Sequence, residues 1–181
     1  HGPGVPPGPP EQAGPGGGRG VFETSDGGLT GSNVLKTDAD TGATELVMGP
    51  SNDKVLYAAT YQRRRAAWGF NGGGAGSAIY KTTDAGRTWR LVLPDPAKNT
   101  VEKPIGDHGD RVFFTDDPTY PGSGRSVTIH AIAVDEDDAS RVYVAASGAD
   151  SPIPGTPASP TLLLESKDAG RSWSRAAAFT S

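Results

Sequence analysis

Short apolar runs separated by polar turns run along most of this chain, and two of them share one plan. Residues 46–57 (LVMGPSNDKVLY) and 132–143 (IAVDEDDASRVY) each read as a short apolar strand, a polar turn and a second strand ending in Tyr. Tyr57 and Tyr143 lead into small-residue strand ends, Ala58-Ala59-Thr60 and Val144-Ala145-Ala146. About twenty residues later come AIYKTTDAGRTWRLVL (78–93) and LLLESKDAGRSWSRAA (162–177). Tyr57 precedes Asp84 by 27 positions and Tyr143 precedes Asp168 by 25, so the two blocks form an internal repeat. The runs are rich in β-branched and aromatic residues and are bounded by Gly, Pro, Asp and Asn, which predicts four strands per block. The first is Glu45–Met48 or Thr128–Val134, and the second Val55–Tyr61 or Arg141–Ala146. The third is Ala78–Thr82 or Thr161–Ser166, and the fourth Trp89–Leu93 or Trp173–Phe179. A partial third copy, GVFETSDGGLTGSNVL (20–35), supplies strands three and four of a preceding unit.

The turn between strands three and four carries the most specific motif. TTDAGRTW (82–89) and SKDAGRSW (166–173) both fit [ST]-x-D-x-G-x-[ST]-W, the Asp box, and TSDGGLTG (24–31) fits up to Gly31, which stands where the others have Trp. The carboxylates of Asp26, Asp84 and Asp168 are placed to accept backbone N–H bonds across the turn, as Asp does in Asx turns. Gly28, Gly86 and Gly170 are free to adopt positive φ. The hydroxyls of Thr30, Thr88 and Ser172 close the loop, and Trp89 and Trp173 bury large rings between neighbouring sheets. These residues read as structural.

From Gly20 to Leu93 the chain resembles the BNR/Asp-box repeat β-propellers, a group that includes sialidases, xyloglucan hydrolases, sortilin-type (Vps10) receptors and photosystem II assembly-factor-like proteins. VLKTDADTGATELVM, VLYAATYQRRRAAWGFNGGG and GSAIYKTTDAGRTW carry the likeness, most closely to large secreted bacterial BNR or Vps10-like repeat proteins, and 126–181 follows it more loosely. The resemblance implies an all-β fold of propeller blades, each of four antiparallel strands with an Asp-box turn. The chain then divides into a Gly/Pro-rich arm (1–19), a partial blade (20–36), a full blade (37–93), an insertion matching no blade element (94–125) and a second full blade (126–181). Propellers need about four to eight blades. Two and a half form an incomplete ring, to be completed by further blades or by other subunits. The resemblance also implies an extracytoplasmic location, secreted or periplasmic, although no signal peptide is visible in the chain.

Composition narrows the partners. Gly (26) and Pro (16) are concentrated in residues 1–19, which hold 13 of them and have almost nothing to bury. The net charge is −4, from 21 acidic and 17 basic residues of interspersed sign, which argues against a nucleic-acid partner. No apolar run approaches the roughly 18 residues of a membrane span. With no cysteine, thiol catalysis, disulfides and thiolate metal sites are excluded. No metal or other cofactor is implied: His1 sits on a Gly-Pro segment without rigid support, and DADTG (38–42) lacks the later ligands of a calcium loop.

The segment Gln62–Ser77 (QRRRAAWGFNGGGAGS) holds the candidate contact residues. Arg63, Arg64 and Arg65 bring guanidinium donors, and Trp68 and Phe70 bring aromatic platforms, a set suited to carboxylates or sulfates and to sugar rings or peptides. It is also longer than a link between strands two and three requires. Three consecutive arginines cannot all enter one pocket, so sialidase chemistry is not supported. In the insertion, Asp107, His108, Asp110, Asp116 and Asp117 match no metal-loop signature and read as a solvated acidic loop, while His130, within VTIHAIAV, reads as a hydrogen-bonded strand residue. Carboxylates for glycoside hydrolysis exist in Glu102, Asp107, Asp116 and Asp117, but sequence sets no two of them opposite a sugar. The favoured reading is a non-catalytic binding or scaffold module for a protein or carbohydrate partner. The alternatives are a glycoside hydrolase module whose catalytic carboxylates lie partly outside this chain, and an accessory or assembly subunit of a larger membrane complex.

Overall fold

A computed structural model describes residues 18–66, 69–72, 76–93, 99–105, 110–115, 127–148 and 161–179. Among these residues every regular element is a β-strand. Strands β1 (Val21–Glu23) and β2 (Ser32–Leu35) pair as a two-stranded antiparallel sheet. The next sheet runs β3 (Thr41–Gly49), β4 (Asn52–Ala66), β6 (Ala78–Thr82) and β7 (Arg90–Leu93) in spatial order. Strand β5 (Gly69–Gly72) pairs with the far end of β4. A separate antiparallel pair follows, β8 (Asn99–Ile105) with β9 (Asp110–Thr115). The last sheet is β10 (Val127–Val134), β11 (Val142–Gly148), β12 (Thr161–Ser166) and β13 (Ser174–Phe179), also in sequence order. The two four-stranded meanders are propeller blades, and β1–β2 is the outer half of a third.

The core lies between the two full blades. Along β12, burial alternates with the strand period, so Leu162, Leu164 and Ser166 turn inward. With Val142 and Val144 of β11, Leu162 and Leu164 meet Tyr57, Ile79 and Leu93 of the preceding blade in one apolar cluster. Burying a side chain such as Leu164 contributes about 2 kcal/mol. The two blades therefore share one core, as expected where stacked repeats bury their faces against each other.

Two expectations need correction. Gln62–Ser77 is not a simple link: β4 continues to Ala66 and turns back as β5, with Arg63 paired to Gly72 and Ala66 to Gly69. An arginine run hides a strand because ladder pairing uses the backbone, whatever the side chain. The insertion is not without structure either, since it contains β8 and β9. Both tryptophans of the fourth-strand ends lie in the turn, one position before β7 and β13 begin.

Below the β4–β5 extension a buried polar knot fixes the return into β6. Thr60 Oγ1 donates to the Gly76 carbonyl (2.6 Å), and the Gln62 N–H donates to Ser77 Oγ (3.1 Å). A Cβ at Gly76 would overlap Thr41 Oγ1, which donates to Asp38 Oδ2 (2.7 Å). We therefore expect Gly76→Ala to lower stability by about 1–3 kcal/mol in urea unfolding. An unchanged midpoint would mean that the return segment can move aside.

Candidate contact surface and the turns that hold the blades

All three Asp-box turns form the same hydrogen bonds. In the first full blade the Thr82 hydroxyl donates to Asp84 Oδ1 (2.7 Å) and accepts the Gly86 N–H (3.0 Å). The Thr88 N–H reaches Asp84 Oδ1 (2.9 Å) and its hydroxyl Oδ2 (2.6 Å). Ser166, Asp168, Gly170 and Ser172 repeat the pattern, as do Thr24, Asp26, Gly28 and Thr30. The first turn does so with Gly31 in place of Trp, so the ring is not needed to build the loop.

These bonds hold the carboxylates ionised. The hydroxyls of Thr88 and Thr82, with the Thr88 N–H, bring Asp84 down to about 2. Around Asp168 burial pushes the other way, but Ser172, Ser166 and the Arg171 N–H outweigh it and the value is again about 2. Thr30 and Thr24 hold Asp26 lower still. A carboxylate committed to its own turn in this way is a poor proton donor at neutral pH.

Glycine takes positive φ at 28, 86 and 170, as the motif requires, but so do Ala85 (60°) and Ala169 (58°). A non-glycine residue there is strained and persists only where its surroundings fix it. Both alanines are held by their own blade, the Ala85 N–H donating to the Lys54 carbonyl (2.9 Å) and the Ala169 N–H to the Ser140 carbonyl (2.7 Å). The Ala169 carbonyl also accepts the Tyr57 hydroxyl (3.2 Å) and Lys81 Nζ (2.8 Å) of the neighbouring blade. Lys81 lies 5.1 Å from the Tyr57 ring centroid. Burial pushes Tyr57 up to about 12 and Lys81 downward, with Arg90 also lowering Lys81, as befits two donors enclosed between blades. Trp173 is buried and its Nε1 donates to the Val92 carbonyl (2.8 Å). The turn of one blade therefore clips onto strands β4, β6 and β7 of the blade before it.

Trp89, expected to be buried, is only half-buried. It lies beside Val34 of β2, facing a unit with two described strands where Trp173 faces four, and among the described residues its Nε1 has no partner. Since each ring reaches back to the preceding blade, Gly31 affects the outer side of β1–β2, and not its packing on the first full blade.

The candidate contact residues fall on the β4–β5 extension. Arg63 is exposed, and its N–H donates to the Asp40 carbonyl (3.0 Å), tying the base of the extension to the blade. Arg64 pairs with Asn71 and Arg65 with Phe70 in the register. Trp68 lies outside the described residues, as do Asp107, His108, Asp116 and Asp117. Asp110 and Glu102 fall on the β8–β9 pair, Glu102 opposite Phe113.

Other polar groups serve the frame. His130 Nε2 lies 2.7 Å from Ser147 Oγ, within one blade. Asp38 accepts the Asp40 N–H (2.7 Å) as well as the Thr41 hydroxyl, which makes DADTG a turn. Glu165, pushed up by burial but down by Arg141, Lys167 and Tyr143, ends below its ordinary value, with Arg141 at 3.0 Å. Sequence reasoning missed Glu45, whose Oε2 accepts the Ile132 N–H (2.9 Å) across the blade junction.

No family model and no curated protein matches the chain. Among solved structures it is similar to a GH74 enzyme of Niastella koreensis at 18% identity, with a TM-score of 0.31. The match covers 86% of this chain, which spans 26% of that enzyme.

Proposed function

We propose that this chain is a non-catalytic binding or scaffold module of an extracytoplasmic Asp-box propeller protein, contacting a protein or carbohydrate partner through the β4–β5 hairpin. The hairpin carries the reading. Up to Gln62 strand β4 pairs with its blade neighbours β3 and β6; the four residues beyond it, Arg63–Ala66, pair with β5, and that extension holds the arginine run. The carboxylates that the structure pulls below their ordinary values (Asp26, Asp84, Asp138, Glu165 and Asp168) are spent on turns and on an ion pair. None of these is poised as the neutral acid that glycoside hydrolysis requires.

The test is Arg63→Ser/Arg64→Ser/Arg65→Ser against a panel of carboxylated and sulfated oligosaccharides and acidic peptides. Binding should weaken by about tenfold with a flatter salt dependence, because exposed charge contacts are screened. Stability should change by less than about 1 kcal/mol. Unchanged binding, a variant that fails to fold, or reducing sugar released from the oligosaccharides would each defeat the reading.

A further inference from the structure

Strand β4 carries two unlike faces past the edge of its blade. Positions alternate between the faces of a strand, so Tyr57, Ala59, Arg63 and Arg65 share one, and Ala58, Thr60, Gln62 and Arg64 the other. Tyr57 and Ala59 are buried in the cluster shared with the second full blade, where the Tyr57 hydroxyl reaches the Ala169 carbonyl. The face of Arg63 and Arg65 is therefore the one turned toward the second blade. On the other face Thr60 and Gln62 are buried in the knot around Gly76. Cross-strand partners share a face as well. Phe70, opposite Arg65, and Gly72, opposite Arg63, complete the face that bears two arginines. Asn71, opposite Arg64, and Gly69, opposite Ala66, fall on the other. The hairpin is thus unequal. Toward the second blade it has two arginine positions, an aromatic position and one corner without a side chain; away from it there are one arginine and one amide. This end of the sheet, where Thr60 pairs with Ala78, is opposite the Asp-box end, where Leu56 pairs with Thr82.

Each guanidinium offers its own fork to an oxyanion. Two forks in line, about 7 Å apart along β4, match a partner that repeats its anionic groups. An aromatic position beside them, and the bare corner at Gly72, leave room for a flat ring on the same face. An acidic peptide would bind differently: it adds as a strand to the hairpin's edge, and its alternating side chains call on both faces equally. The unequal faces favour a ligand that lies across one of them. We propose that an anionic sugar polymer, carrying uronate or sulfate groups, lies across the face of Arg63, Arg65 and Phe70 on the side of the second full blade. Arg63 and Arg65 take its oxyanions, Phe70 stacks on a sugar ring, and Arg64 adds only long-range charge. This rests on the reading of the hairpin as the contact element, and adds which face binds and what it binds.

Titration calorimetry of the chain with oligogalacturonate, a heparin-derived oligosaccharide and poly-glutamate tests it. Uronate, sulfate or both should bind, and poly-glutamate should bind at least about tenfold more weakly than the better sugar. Arg65→Ser and Phe70→Ala should each weaken the better sugar about threefold, and Arg64→Ser less than about 1.5-fold. Phe70→Tyr keeps the ring and should keep the affinity. If Phe70→Ala unfolds the hairpin, the contrast between Arg64→Ser and Arg65→Ser decides alone. An Arg64→Ser loss as large as that of Arg65→Ser would overturn the proposal and leave the hairpin as the contact element. So would unchanged affinity in folded Phe70→Ala, or poly-glutamate binding as tightly as the better sugar. A wild-type chain that binds none of the three, or unchanged binding by Arg63→Ser/Arg64→Ser/Arg65→Ser, would defeat the hairpin reading and this inference with it.

Discussion

Trp173→Ala should destabilise the protein by about 3–5 kcal/mol, and Trp89→Ala by less than half as much. The Trp173 ring is 6% exposed within the cluster shared by the two full blades. Truncation opens a cavity that the flanking strands cannot close without breaking their ladders. It also strands the Val92 carbonyl, which accepts the indole N–H at 2.8 Å. Trp89 occupies the same motif position but is half-buried, and its truncation forfeits less area and no hydrogen bond recorded among the described residues. Urea unfolding followed by circular dichroism separates the two, where fluorescence would be confounded by losing the probe. Equal losses would show that β1–β2 packs on its neighbour as tightly as one full blade packs on the other.

The strands were legible because the chain states their pattern twice. Ala78–Thr82 and Thr161–Ser166 were bounded correctly, and each is closed by the hydroxyl that opens its Asp box. The turn chemistry was only partly legible. Positive φ at Gly86 follows from the motif, but Ala85 and Ala169 carry a Cβ that argues against it; the hint was Gly27, the same position in the first copy, which also has positive φ. The clip on the Ala169 carbonyl had no local signal, because its donors Lys81 and Tyr57 lie 88 and 112 positions away. The repeat does not point to it either. The counterpart of Lys81 is Glu165, which holds Arg141 instead, so the charge moves to the adjacent strand from one blade to the next. The β4–β5 hairpin escaped because arginines favour no strand, and glycines at 69 and 72 read as breakers.

Acid should loosen the protein through the same turns, and Asp168→Ala should show it. At pH 7 this variant should be less stable by about 1–3 kcal/mol, because the N–H groups of Arg171 and Ser172 and the hydroxyls of Ser166 and Ser172 lose their acceptor. Displacement of the turn would also disturb the Ala169 carbonyl held by Lys81 and Tyr57. Asp84 and Asp168 titrate at about 2 in the folded chain, against about 3.9 for an unperturbed Asp. As pH falls through 4 the unfolded chain binds more protons than the folded one, so stability rises with pH in this range. That contribution is complete above about pH 5 and is lost progressively toward pH 2. The melting temperatures of wild type and Asp168→Ala, measured from pH 7 to 2.5, should therefore stay apart down to about pH 5 and then converge. The cause is local hydrogen bonding, not distant charge, so 0.5 M salt should leave the convergence in place. Curves that run parallel to pH 2.5 would show that Asp168 is not held ionised by its turn, and its purely structural role would have to be abandoned.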